Sequence, residues 1–152
     1  MDELNYKNIL VPVDGSKEAE AALRKAISVT KRNGAGASLH ILHVIDTRAF
    51  QNVSDFRTTM VEQVSATAEK TMQAYLEDAK AEGLENVDYS IEYGSPKDVI
   101  AFQAPEKFGV DLIVIGATGL NAIERLLIGS VTEYVTRTAK VDTLIVRANN
   151  NK

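Results

Sequence analysis

Asp111-Leu112-Ile113-Val114-Ile115-Gly116-Ala117-Thr118-Gly119 is a short apolar run that stops on glycine. Three of its four central residues are β-branched, and a turn signal follows at once, so it reads as a strand buried on both faces. Such strands belong to parallel sheets covered by helices on each side. Nine residues separate Gly119 from Gly129-Ser130-Val131-Thr132, where a helical pattern begins. Glycines just past a strand let the backbone turn sharply and let a ligand approach N–H groups that a Cβ would shield. A Gly-Ser pair at a helix start adds unpaired N–H donors, a positive dipole end and a hydroxyl. The residues alone therefore point to a phosphate-binding loop divided between two glycine clusters.

The rest of the chain supplies the sheet around this strand. Asn8 to Val13 is an apolar run closed by Asp14-Gly15-Ser16, a buried strand ending in a turn. From Lys17 to Asn33, Ala19, Ala22, Leu23, Ala26, Ile27 and Thr30 recur at helical spacing, and Gly34 stops them. Ser38 to Ile45 is a second strand. Val61, Val64, Ala68, Met72, Tyr75 and Ala79 give a long amphipathic helix closed near Gly83. Val87 to Tyr93 is a third strand, polar enough for a sheet edge. Ser95-Pro96-Lys97-Asp98 starts a helix, with Ser95 as N-cap, that runs toward Lys107 and is ended early or kinked by Pro105. Ser130 to Ala139 is the fourth helix, and Thr143 to Arg147 the last strand.

Strict β/α alternation predicts an α/β fold: one domain over residues 1–148, a five-stranded parallel sheet ordered 3-2-1-4-5, and helices on both faces. Residues 149–152 read as a polar, disordered tail. In such sheets ligands sit beyond the strand C-termini where the order switches. The order 3-2-1-4-5 sets strands one and four side by side. Pro12-Val13-Asp14 and the split glycine loop would then meet at one crevice.

Composition removes several classes of function. The 152 residues are enough for one self-sufficient core. With a net charge of −4 and no basic stripe among aromatics, nucleic acid is disfavoured. No cysteine is present, which excludes disulfides and thiolate chemistry. The polar start Met1-Asp2-Glu3-Leu4 is unlike a signal peptide, and no apolar run approaches the roughly 20 residues of a membrane span. A cytoplasmic location is the expectation.

Gly116, Gly119, Gly129 and Ser130 match the Gly-x2-Gly-x9-Gly-Ser/Thr motif, and with them the chain resembles the universal stress protein family in its ATP-binding branch. The likeness extends to Ile9-Leu10-Val11-Pro12-Val13-Asp14-Gly15-Ser16, Leu42-His43-Val44, Gly94-Ser95-Pro96 and Leu144-Ile145-Val146-Arg147. It implies a Rossmann-like, adenine nucleotide alpha hydrolase-like fold and ATP, with Mg2+, as ligand. By the same resemblance Asp14 holds the ribose or adenine side, Pro12 and Val13 line the base, and Val44 contacts adenine through backbone and methyls. Gly116, Thr118, Gly119, Gly129 and Ser130 surround the phosphates, helped by the Val131 and Thr132 backbone and the Thr132 hydroxyl. It further implies a homodimer through Thr143 to Arg147, with an unknown protein partner reading its state. One departure is Val141-Asp142-Thr143, where the family usually carries a proline.

Each signal has a plainer reading. Gly116 and Gly119 could be turn glycines, Asp14 a turn or cap residue, and Ser130 an N-cap. His40 and His43, three apart on a strand, face opposite ways and are better read as packed, neutral side chains than as a metal pair. Thr47 to Thr59, with Phe50, Val53 and Phe56, reads as a long loop, either a contact surface or inert. An ATP-binding regulatory protein leads. A slow ATPase or other nucleotide-dependent enzyme is the first alternative, weakened because no Walker lysine is present and Glu124 and Arg125 are the loop's only charges. A nucleotide-free dimeric scaffold is the second. A receiver-like phosphoacceptor is rejected for lack of paired acidic residues after strand one.

Overall fold

The computed structural model describes residues 5–50, 57–118 and 128–148. Its elements run β1 (Asn8–Pro12), α1 (Lys17–Arg32), β2 (Ser38–Ile45), α2 (Arg57–Ala81) and β3 (Val87–Tyr93). Then follow a composite helix α3 over 96–108, β4 (Leu112–Gly116), α4 (Ser130–Thr138) and β5 (Asp142–Val146). All five strands are parallel, in the expected order β3-β2-β1-β4-β5.

Strand alternation sorts the apolar residues into two cores. Ile9, Val11 and Val13 of the first strand region, with Leu39, Ile41, Leu112 and Val114, face Ala22, Leu23 and Ala26 of α1 and Met72 and Ala79 of α2. Leu10, Leu42, Ile113 and Ile115 face Val99, Ile100, Ala101 and Ala104 of α3 and Val135 of α4. The central strands are therefore buried on both faces, which is why they read as unbroken apolar runs. β3 and β5 are the edges, and β3 carries the more polar sequence accordingly.

Local chemistry sets the helix ends. Asp14 Oδ1 accepts from Ser16 N–H at 3.0 Å, and Ser16 Oγ accepts from Ala19 N–H at 3.0 Å, which caps α1. Glu18 and Glu20 lie in its first turn and Lys31 and Arg32 in its last, both favourable to the helix dipole.

Four sequence expectations change. Pro105 does not end α3. Pro96–Asp98 is followed by a π-helical stretch, Val99–Gln103, and then by Ala104–Phe108. A proline ring clashes with the carbonyl four residues back. Here the ladder widens by one residue before it, with Ala104 N–H donating to Val99 C=O, and the helix continues to Gly109. Ser95 occupies the N-cap position without a side-chain capping bond, and Asp98 instead accepts from the Tyr134 hydroxyl at 3.1 Å. Val64, expected in the core, is 39% exposed, because this part of α2 borders a cavity rather than another side chain. The loop expected over 47–59 holds a 310 turn, Thr47–Phe50, and the start of α2; 51–56, with Val53 and Phe56, lie outside the described residues. The tail 149–152 also lies outside them.

Candidate functional site

The sheet opens at one place. β1 and β4 are in register only at Ile9↔Leu112 and Leu10↔Ile113, after which they part. Each is then held to its other neighbour: Val13 N–H donates to Leu42 C=O at 2.8 Å, and Ala117 N–H to Val146 C=O at 2.8 Å. The gap between them is the switch point of the strand order, with Asp14 on one side and Gly116 to Thr118 on the other.

The floor is made of backbone. Leu42 turns its carbonyl toward β1, so by the two-residue period Val44 turns its own N–H and C=O the same way. The β1–β2 register ends at Pro12↔Leu42, so Val44 faces the gap beyond the last β1 pair. Its side chain packs against the α3–α4 core.

The phosphate side is pinned to β4. Gly129 N–H donates to Ala117 C=O at 2.7 Å, and the Thr132 hydroxyl donates to Gly116 C=O at 2.6 Å. Gly129, not Ser130, is the N-cap, and Ser130 is the exposed first residue of α4. The first intrahelical bond runs from Glu133 N–H to Gly129 C=O at 2.9 Å. The N–H groups of Ser130, Val131 and Thr132 thus belong to the turn that has no intrahelical acceptor, at the positive end of the helix dipole. The Thr132 hydroxyl, expected on a phosphate, is committed to the strand, and what Thr132 offers a ligand is its N–H.

Gly116 is glycine for a reason the sequence did not reveal. A Cβ there would lie 2.9 Å from the Glu18 carbonyl carbon and oxygen and 3.1 Å from Glu18 Cβ. The first turn of α1 presses directly on the end of β4. Beside this contact Glu18 Oε1 is buried with no hydrogen-bond partner.

The structure therefore brings Pro12, Asp14, Val44, Gly116, Thr118, Gly129, Ser130, Val131 and Thr132 to one edge. Val13 separates from Pro12: successive strand residues face opposite ways, and its side chain enters the α1–α2 core, so the two do not line one wall. Gly119, Glu124 and Arg125 lie outside the described residues.

Arg48, not anticipated as a site residue, adds a cation near the same edge. It binds Asp46 through Nε at 2.8 Å and Nη2 at 2.7 Å, and this pairing holds the Asp46 carboxyl below its ordinary range. The only signal for it was an Asp-x-Arg at the end of a strand. The two histidines do face opposite ways. His40 stacks on Phe108 at 3.9 Å, with Nδ1 2.6 Å from Asp88 Oδ1 and Nε2 2.7 Å from Ser90 Oγ. His43 Nδ1 lies 2.9 Å from Val13 C=O. Among the described residues no three His, Asp or Glu side chains gather as a metal cluster.

A family model described as the universal stress protein family matches residues 5–147. The chain belongs to the universal stress protein family. A protein named as a universal stress protein in Staphylococcus haemolyticus is 43% identical over 144 residues, covering 95% of this chain and 86% of that protein. The solved universal stress protein UspA from Lactobacillus plantarum superposes with a TM-score of 0.85 at 33% identity, over 94% of this chain and 99% of that one. A universal stress protein solved in complex with cAMP superposes with a TM-score of 0.72 at 25% identity, over 95% and 99%. Among the described residues no helix is long and apolar enough to cross a membrane.

Proposed function

We propose that this universal stress protein binds an adenine nucleotide, ATP with Mg2+, in the gap where β1 and β4 part, and acts as a nucleotide-dependent regulator. The observation that carries the reading is the pinned first turn of α4. Gly129 and Thr132 fix it to β4, so three N–H donors and a helix dipole stand at the strand ends without needing to reorganise for an anion. Val44 supplies one backbone donor and one acceptor in line with the sheet, a pairing that suits the adenine edge. Asp14, on the opposite bank, suits the ribose hydroxyls. A relative solved with cAMP lends support, since that ligand carries the same base.

The donor set fits a triphosphate better than a free metal. Mg2+ takes few protein carboxylates and relies on phosphate oxygens and water. Among the described residues, Asp14 and Glu18 Oε1 are carboxylates near the gap that could complete its shell, and the metal would offset phosphate charge there. Charged groups preorganised on the transferred phosphate supply most of the rate in phosphoryl transfer. The described edge offers mainly backbone N–H groups, which favours binding and conformational signalling over turnover.

The dimer reading rests on β5. It is an edge strand, and its neighbouring residues Leu144 and Ile145 are each 36% exposed although they face opposite ways. Pairing with the same strand of a second copy would cover both. Denaturing the purified protein and identifying any released nucleotide tests the function. Near-stoichiometric adenine nucleotide is expected; a protein that carries none and shows no calorimetric heat with millimolar ATP would refute the proposal.

A further inference from the structure

The sheet face that carries α3 holds a second group of chemical side chains, away from the strand ends. His40 on β2 pairs in register with Asp88 on β3, and Leu42 with Ser90. Strand alternation therefore puts His40, Asp88 and Ser90 on one face. Val87, Tyr89 and Ile91 take the other face and pack against the α1–α2 core. Among the described residues the helix that covers β3 is α2, on that opposite face.

A carboxylate can only accept, so His40 Nδ1 carries the proton donated to Asp88 Oδ1 at 2.6 Å. In the neutral ring Nε2 is then the acceptor, and the Ser90 hydroxyl donates to it at 2.7 Å. Phe108 stacks on the imidazole at 3.9 Å and fixes its plane. This is the arrangement that activates a serine: a base within hydrogen-bond reach of the hydroxyl, itself oriented by a third group. His40 is buried while Ser90 is half-buried and Asp88 exposed, so the base is held in the packed layer and the hydroxyl is open to solvent. Two donors lie beside it. Leu39 N–H donates to Asn86 C=O, so even-numbered residues of β3 turn their backbone to β2, and Ile91 turns its N–H to the open edge. Lys107 Nζ, 3.2 Å from Glu92 Oε2 and 5.4 Å from the Phe108 centroid, adds a cation on the serine's side.

We propose that Ser90, His40 and Asp88 form a hydrolytic site for aryl esters of short-chain carboxylic acids. Ser90 Oγ attacks the acyl carbon and gives its proton to His40 Nε2. The bond from the acyl carbon to the aryl oxygen breaks, and that proton leaves with the phenol. Water then attacks the acyl-serine, a proton returns through His40 Nε2 to Ser90 Oγ, and the carboxylic acid is released. Asp88 stays ionised and acts as a positioning residue. The Ile91 N–H and Lys107 meet the developing oxyanion. An open face suits a small acyl group, and a phenol, with a pKa of about 10, departs with little help from a single acid.

p-Nitrophenyl acetate and a fluorophosphonate, each added to the nucleotide-free full chain, test the site; the nucleotide reading stands or falls separately on ATP binding. Nitrophenol release is expected, with the acetyl group located on Ser90 by tandem mass spectrometry. Ser90→Ala should abolish that release. Asp88→Asn, at an exposed position, should keep the fold and slow the release about a hundredfold or more, because the ring loses the acceptor that sets its tautomer. Ser28, exposed on α1, is the comparison within the unsubstituted protein, so the outcome does not hang on any variant folding. The fluorophosphonate should label Ser90 about a hundredfold faster than Ser28. Labelling of Ser90 no faster than Ser28 would overturn the proposal. So would release that persists in a folded Ser90→Ala protein, or an unchanged rate in a folded Asp88→Asn protein.

Discussion

Gly116→Ala separates two explanations of the most informative glycine in the chain. If glycine is there only to admit a ligand, the nucleotide-free protein should tolerate a methyl group. The structure predicts that it will not. Gly116 is not among the residues with positive φ, so backbone conformation alone would accept alanine. The obstacle is contact: the new Cβ would sit 2.9 Å from two backbone atoms of Glu18, and α1 is anchored there by the Ser16 cap. Backbone cannot swing aside as a long side chain can. Overpacking of this kind costs about 1–3 kcal/mol, offset by about 0.4–1 kcal/mol from the lower entropy of the unfolded alanine chain. The net expectation is a loss of about 1–2 kcal/mol, which for a protein of this size lowers Tm by about 2–8 °C. Urea and thermal unfolding of the nucleotide-free protein measure it. A Tm equal to or above that of the unsubstituted protein would show that α1 does not press on β4 as described, and the packing argument would fail.

Three further outcomes follow from the same packing and hydrogen bonds. Thr132→Val keeps the shape but removes the donor to Gly116 C=O, leaving a buried carbonyl without that hydrogen bond; chemical denaturation should show a loss of about 1–3 kcal/mol, and nucleotide affinity should fall with it. Four of the five tyrosines are held above their ordinary pKa: Tyr75 by burial and then Glu20, and Tyr6, Tyr89 and Tyr134 by hydrogen bonds to Asp142, Glu69 and Asp98. A raised pKa favours the neutral form in the folded state, so this stability is full below about pH 10 and is lost as pH rises through the folded values. Ultraviolet titration should show late ionisation, and Tyr75→Phe should reduce the alkaline loss. Leu144→Lys combined with Ile145→Lys should shift sedimentation from dimer to monomer without lowering Tm by more than about 2 °C; a dimer that persists would place the interface elsewhere.

Much of the fold was legible because period and burial agree. Leu112 to Ile115 and Ile9 to Val11 are unbroken apolar runs, as central parallel strands are, and helices between them left one economical topology. The misses come from effects that act across the chain. Pro105 reads as a kink or an early stop, and no local rule anticipates the π turn that absorbs it. Val64 keeps perfect helical spacing yet meets a cavity, since spacing specifies a face and not what lies opposite. Asp14, Gly116 and Gly129 stand at the C-terminal edge of the sheet, where the strand order led one to expect them. The Gly116–Glu18 contact joins residues 98 positions apart in sequence, by subtraction of their numbers, and no spacing records it. The Thr132 hydroxyl could not be assigned beforehand either, because a helix-start threonine serves a ligand or a strand equally well. Val13 and Pro12 could have been separated by strand alternation alone.

Backbone amide chemical shifts during an ATP-Mg2+ titration test the central claim most directly. The largest changes should fall on Val44 and on Ser130, Val131 and Thr132, with Asp14 following and the residues of β3 unmoved. Saturable binding that leaves those four amides unshifted, or no binding at millimolar ATP, would contradict a nucleotide site in the gap between β1 and β4.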